Sequence, residues 1–134
     1  MWIPYDEKVA KEICSDCGSP TSKTAYNYFR TALHYSPEKV WSEVYDGKAL
    51  YFATRAKNHV RLIEIAVRHQ YQVKGIGKKV LFRLLSRMKA AGLYKLTFRT
   101  PIAEEAQNFW LHMGARIVGL NGNDYEMVLT IKQD

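Results

Sequence analysis

The chain reads as one mixed α/β or α+β domain folded around a single central sheet. Three observations predict this. Its 134 residues, 47% hydrophobic and 25% charged, suit one globular unit with a core of its own. The apolar pattern switches between periods of about 3.6 and about 2 residues, in the order helices, hairpin, then β-loop-α-β-α-β-β. No internal repeat, low-complexity tract or linker divides the chain.

Taken in order, Pro4 to Ile13 predicts a short helix, and Cys17-Gly18-Ser19-Pro20-Thr21-Ser22 is a cluster of breakers. Thr24 to His34 predicts a second helix, with Tyr28, Ala32 and Tyr35 on one side. Ser36 as N-cap and Pro37 at the first helical position predict a third, running to about Tyr45. Asp46-Gly47 turns the chain. Residues 1–46 thus read as mainly helical, without a first strand. Ala49 to Arg55 and Val60 to Val67 predict an antiparallel hairpin joined by Ala56-Lys57-Asn58-His59. Gly75 to Ala91 predicts a helix, with Val80, Leu81, Leu84, Leu85 and Met88 on its apolar stripe and Gly92 as its stop. Lys95 to Thr100 predicts a strand, Glu104 to Met113 a helix ended by Gly114, and Arg116 to Gly119 a short strand. After the turn Asn121-Gly122-Asn123-Asp124, the alternation of Tyr125 to Ile131 predicts the last strand.

The formal net charge is +7, and its location is informative. From Ile65 to Ala103 there is no Asp or Glu, while the same stretch carries nine Lys and Arg residues, among them Lys74, Lys78, Lys79, Arg83 and Arg87. A one-sided field of this kind attracts a phosphorylated cofactor, a nucleic acid or an acidic surface; the plainer reading is a solvated face. No apolar run is long enough to cross a bilayer, and residues 1–7 lack the pattern of a signal peptide, so the expectation is a cytoplasmic protein without a membrane partner. Cys14 and Cys17 form a lone C-x-x-C without a second pair, and His34, His59, His69 and His112 are scattered. Two reduced thiols are favoured over a redox pair or half a metal site, and no metal is expected.

The sharpest feature is the junction of the second hairpin strand with the basic helix. Ile63-Glu64-Ile65-Ala66-Val67 leads through Arg68-His69-Gln70-Tyr71 into Gln72-x-x-Gly75-x-Gly77. Glycines directly before a helix allow close backbone approach, and the free N–H groups of the first turn, with the helix dipole, form an anion site suited to a pyrophosphate. The plainer reading is a helix start that happens to contain glycines. The spacing is neither that of a P-loop nor that of a dinucleotide fingerprint in a parallel βαβ unit.

Ile65-Ala66-Val67-x-x-x-Tyr71-Gln72-x-x-Gly75-Ile76-Gly77 resembles the signature of the GNAT acetyltransferases, an apolar strand leading into [Q/R]-x-x-G-x-[G/A]. Ala106-x-x-Phe109-Trp110-x-x-x-Gly114-Ala115 is similar to a second segment of that family. The resemblance runs from about Leu50 to the C-terminus. It implies a single-domain fold with a mostly antiparallel mixed sheet, splayed at the cofactor site and flanked by helices, in which residues 47–134 bind CoA and residues 1–46 shape the acceptor side. It further implies an acyl-CoA-dependent N-acyltransferase that uses acetyl-CoA and an amine acceptor by direct attack. The pyrophosphate would meet the amides of Val73, Lys74, Gly75, Ile76, Gly77 and Lys78 beside Gln72. The pantetheine arm would run along Ile65, Ala66 and Val67. A backbone N–H near Ala66 or Val67 would face the developing oxyanion.

The chain departs from the family at several positions. Trp110 stands where relatives often carry a tyrosine that protonates the leaving thiolate, and an indole N–H is not a usable acid. Trp110 is then expected to pack beside the thioester, with His112 or Tyr125 as substitutes for the acid; an exposed helical histidine is the plainer reading of His112. Glu64 is the candidate general base, against a structural salt bridge, and strand alternation sets it opposite Arg61 unless a bulge intervenes. Ala103 replaces a family asparagine, which leaves Asn108 as a candidate cofactor contact. Tyr26, Tyr28, Phe29, Tyr35, Trp41 and Tyr45 are read as core before acceptor pocket. Two alternatives accompany the enzyme: a CoA-binding relative without catalysis, and a nucleic-acid binder using the Lys79-Arg83-Arg87 stripe. An exposed C-terminal strand edge is compatible with a homodimer.

Overall fold

A computed structural model describes residues 1–72 and 75–132. Seven strands form one sheet in the order β1-β2-β3-β4-β5-β7-β6: β1 (Trp2–Pro4), β2 (Val40–Tyr45), β3 (Ala49–Arg55), β4 (Val60–Val67), β5 (Lys95–Pro101), β6 (Arg116–Asn121) and β7 (Asp124–Thr130). Among the described residues there are four α-helices: α1 (Glu7–Asp16), α2 (Pro20–Tyr35), α3 (Ile76–Ala90) and α4 (Glu104–His112). All strand pairs are antiparallel except β4 with β5. The expected mixed, mostly antiparallel sheet flanked by helices is therefore present.

The helices cover the two faces unequally. On one face α1 and α2 pack Ala10, Ile13, Tyr26 and Phe29 against Val44, Leu50, Phe52 and Ala66 of β2, β3 and β4. Phe29 and Phe52 stack at 4.5 Å. On the other face α3 sets Val80, Leu81, Leu84 and Met88 against Tyr51, Val60, Leu62, Leu96, Phe98, Met127 and Leu129, so this core runs from β3 to β7. Buried aliphatic and aromatic area of this kind dominates the stability of a small domain.

The N-terminal region differs from its sequence reading. Asp6 caps α1 by accepting from the Val9 N–H at 3.0 Å, so the helix starts at Glu7 and not at Pro4. Pro4 instead ends β1, a three-residue edge strand paired with β2, where a proline is tolerated. Gly18, at φ 78, breaks the chain, and Pro20 then opens α2 four residues before the expected start. The helix expected from Pro37 to Tyr45 is absent. Ser36 and Pro37 start only a 3-10 turn, Pro37–Lys39, and Val40–Tyr45 is β2. Val40, Trp41, Val44 and Tyr45 favour the pleated surface beside β3, and this pairing overrides the helix-start signal. Asp46 and Gly47, both at positive φ, close the β2–β3 hairpin, with the Lys48 N–H donating to the Tyr45 carbonyl at 2.8 Å.

The basic stripe of α3 faces the β1–β2 edge. Arg83 pairs with Glu43 at 2.8 Å and lies over Trp2, Arg87 lies over Trp41 and donates to the Tyr51 hydroxyl at 3.0 Å, and Lys79 lies over Tyr45. Burial alone would raise the pKa of Glu43, but hydrogen bonds from Arg83 and Tyr51 outweigh it and hold the carboxyl below its ordinary value. The stripe thus cements the helix to the sheet rather than offering a free cationic face. Cys14 and Cys17 are buried free thiols, and burial pushes Cys14 up to about 12. Among the described residues no group of three metal-ligating side chains occurs, and no helix is long and apolar enough to cross a membrane.

Candidate active site

The site opens where the sheet splits. β4 and β5 pair only at Val60–Leu96 and Arg61–Thr97, although β4 continues to Val67 and β5 to Pro101. The divergence begins at a bulge: Phe52 faces Glu64 and Ala53 faces Leu62, which leaves Ile63 as the extra residue of β4. The bulge changes the alternation. Val60, Leu62, Ile65 and Val67 turn to the α3 face, whereas Ile63 and Ala66 turn to the α1–α2 face. Arg61 and Glu64, separated by three positions, line the same cavity. Beyond Arg61 the inner edge of β4 has no β5 partner, so its backbone groups face a cleft of about 370 Å³.

One end of the cleft is built from backbone. Arg68 anchors the turn after β4: its Nε donates to the Gly47 carbonyl at 2.6 Å, and its guanidinium pairs with Asp16 at 3.4 Å and Glu12 at 3.5 Å. A 3-10 turn, His69–Tyr71, brings Gln72 back across the strand end. The Gln72 amide donates to the Cys17 carbonyl at 2.6 Å and to the Val67 carbonyl at 3.0 Å, so both its protons bind protein. Val73 and Lys74, also expected here, lie outside the described residues. Gly75 precedes α3 at φ 73, a left-handed conformation that disfavours any side chain. Gly77 is different. A Cβ there would meet only Val67 Cγ2, at an ordinary 4.0 Å, so packing within the protein does not demand a glycine. The missing side chain keeps the cleft open at the first turn of α3, where Ile76, Gly77 and Lys78 present amides and no acidic residue stands. Free N–H groups, a favourable dipole and open space fit a phosphate-bearing ligand. Lys78 adds charge nearby, its ammonium lying over the Phe82 ring.

The opposite end is built from side chains. Glu64 accepts from the Ser22 hydroxyl at 3.2 Å and the Thr21 hydroxyl at 3.3 Å, both at the start of α2. Burial raises its pKa above the ordinary carboxylate value, against the opposing hydrogen bonds of Ser22, Thr21 and the Ile65 N–H. A second cavity of about 540 Å³ begins here, walled by Thr21, Thr24, Ala25 and Tyr28 of α2 and by Arg61, Arg99 and Asp124 of the sheet. The two cavities share Leu62, Ile63, Glu64, Arg99 and Pro101. Glu64 thus stands at the junction of two spaces.

The third wall comes from α4. Trp110 packs on Phe98 at 4.0 Å and on Phe109 at 5.1 Å, and Ala106, Phe109 and Trp110 line the cleft. Asn108 and His112 are exposed on α4 and do not line it. Tyr125 packs into the α3-side core. Among the N-terminal aromatics, Tyr26, Phe29 and Trp41 are buried, Tyr35 is exposed and Tyr28 alone reaches the second cavity. Sequence reasoning missed Thr21, Ser22 and Arg99. The first two sit in the breaker cluster and Arg99 among many basic residues, so only the fold brings them to Glu64.

No curated protein sequence matches the chain significantly. Solved structures of similar fold include a PaiA N-acetyltransferase from Thermoplasma acidophilum in complex with coenzyme A, 15% identical with a TM-score of 0.74 over 97% of this chain and 98% of that one. The ribosomal-protein-S18-alanine N-acetyltransferase of Escherichia coli is 16% identical, with a TM-score of 0.78 over 100% of this chain and 95% of that one. Ard1 from Thermoplasma volcanium is 13% identical, with a TM-score of 0.76 over 99% and 98%. At such identities these likenesses establish the fold alone. A sequence model of the acetyltransferase (GNAT) family matches residues 7–115, reaching further toward the N-terminus than the two sequence motifs. With most of the chain matched by that model, the chain belongs to the GNAT acetyltransferase family.

Proposed function

We propose that this chain transfers an acyl group, acetyl in the simplest case, from the thioester of CoA to an amine by direct attack. The observation that carries the reading is the split between β4 and β5, with an anion-favouring helix start at one end and a half-buried carboxylate at the other. The coenzyme A complex of the Thermoplasma acidophilum structure supports the choice of donor. Gly75, Ile76, Gly77 and Lys78, with Val73 and Lys74, would hold the pyrophosphate. The open edge of β4 at Ile65, Ala66 and Val67 would bind the pantetheine amides, and its N–H groups would face the carbonyl oxygen as charge develops there. Gln72 would act through the loop, since its side chain already bonds protein. In this reading residues 47–134 carry the donor and residues 1–46 shape the acceptor side.

Glu64 would take the proton from the attacking amine. Its raised pKa makes it a stronger base toward the amine it must deprotonate, and its position joins both cavities. Trp110 would wall the thioester end and exclude water. A dedicated acid is not required of it. A thiol titrates near ~8.5, so a thiolate departs with little help. His112 and Asn108 are exposed and do not line this cleft.

A second reading, CoA binding without turnover, is prompted by Trp110, which stands where relatives often carry a tyrosine. Release of free thiol from acetyl-CoA, measured with a panel of primary amines, separates the two. Amine-dependent release is expected. Stabilisation by acetyl-CoA with no release for any amine would leave the second reading, and no stabilisation would sink both.

A further inference from the structure

We infer that the acceptor is an amine that also carries a carboxylate, and that Arg99 selects it. The inference rests on acyl transfer at this cleft. Glu64 and Arg99 stand on either side of the split, Glu64 three residues past Arg61 and Arg99 two residues past Thr97, the last β4–β5 pair. Both line the two cavities, so one small molecule at the junction meets both. Among the described residues Glu64 meets hydroxyls and the Ile65 N–H but no cation, which leaves its charge for an ammonium group.

Arg99 is the loosely held arginine of this wall. Its guanidinium lies 3.6 Å from Asp124, 3.5 Å from Glu126 and 3.5 Å from the Asn121 carbonyl, and its side chain is 44% exposed. A well-made charge-assisted hydrogen bond spans about 2.7–2.9 Å. By contrast, Arg61 holds Glu126 at 3.0 Å and 3.3 Å, and Arg83 holds Glu43 at 2.8 Å and 3.1 Å. Glu126 is already engaged by Arg61 and by the Asn121 amide at 3.3 Å. The Arg99 fork therefore has three distant acceptors and no close one. A substrate carboxylate offers two parallel hydrogen bonds to a guanidinium, a better partner than any it has. Asp124, which pairs with Pro101 and reaches Arg99 only diagonally at 3.6 Å, is the group such a carboxylate would displace. An amine beside Glu64 and a carboxylate at Arg99 complete both charges with one ligand.

The test uses thiol release from saturating acetyl-CoA with glycine, alanine, β-alanine and 4-aminobutyrate, each paired with its own carboxamide. At least one acid should exceed its amide in kcat/KM by roughly tenfold to a hundredfold, the range of a hydrogen bond to a charged group. Arg99→Gln should erase that preference by raising KM for the acid far more than KM for the amide. Arg99→Lys should keep part of it, and Asp124→Asn should lower KM for the acid by removing a competitor. Amides as good as acids, no carboxylated amine accepted, or Arg99→Gln affecting both members of each pair alike would overturn the inference. If acetyl-CoA binds and neutral amines react as well as the acids or in their place, only this inference falls; if acetyl-CoA does not bind, acyl transfer falls with it.

Discussion

The two ends of the cleft are built from different materials. The α3 end is made of backbone: a left-handed Gly75, an unencumbered Gly77 and the amides of the first helical turn. The Glu64 end is a side-chain device, assembled from Thr21, Ser22, Arg61, Arg99 and Asp124 on four separate elements. Backbone recognition needs glycines at fixed spacing, so it leaves a mark in sequence. Side-chain recognition needs proximity that only the fold supplies. The comparison also separates what each end should do: the first should govern affinity for the donor, the second turnover and choice of acceptor.

The largest expected effect tests that division at Glu64. Glu64→Gln should lower turnover by about 100-fold or more, the usual worth of a general base, while donor-induced stabilisation is unchanged. Wild-type turnover should fall as pH drops through a value above the ordinary carboxylate range, because burial raises the Glu64 pKa. Stability has the opposite sense. The folded state holds the Glu64 proton to higher pH than the unfolded chain does, so unfolding free energy should decline as pH rises through that window, a slope the glutamine variant lacks. Denaturant titrations across pH read it directly. Loss of donor binding in Glu64→Gln would blur the distinction between the two ends.

A smaller effect is expected at Gln72, which ties the loop to both α1 and β4. Gln72→Ala leaves the Cys17 and Val67 carbonyls short of a partner and should cost about 1–3 kcal/mol of stability by chemical denaturation. Smaller still, Gly75→Ala should cost roughly 1–2 kcal/mol, because its φ of 73 strains any L-residue. Wild-type stability in Gly75→Ala would show that the loop does not need its left-handed turn.

Sequence reasoning found the elements whose pattern is local. The β3–β4 hairpin and α3 stand within a residue of their expected limits because period and turn chemistry agree there. It failed where a local signal lost to pairing. Ser36-Pro37 starts a helical turn, but β3 draws Val40–Tyr45 into the sheet. β1 escaped notice because a three-residue strand ending in proline has no period to read. The bulge at Ile63 was foreseen only as a condition, since register depends on the partner strand. In the same way Glu64 was legible as the one acidic residue before the loop, whereas Arg99 was one cation among many. The α3 stripe taught the reverse lesson. Charge at helical spacing resembled a binding surface until Glu43, Trp2 and Trp41 appeared beneath it.

The central claim is that the open first turn of α3 binds the donor's pyrophosphate, and Gly77 tests it most directly. Its backbone accepts a side chain without strain and its Cβ would touch only Val67, so Gly77→Glu should fold with a melting temperature close to that of the wild type. Thermal unfolding of both proteins with and without coenzyme A is the measurement. Millimolar coenzyme A should raise the wild-type transition by several degrees, corresponding to about 2–3 kcal/mol at a ligand concentration near a hundred times Kd, and leave Gly77→Glu unmoved. Equal stabilisation of both proteins, or of neither, would contradict the account.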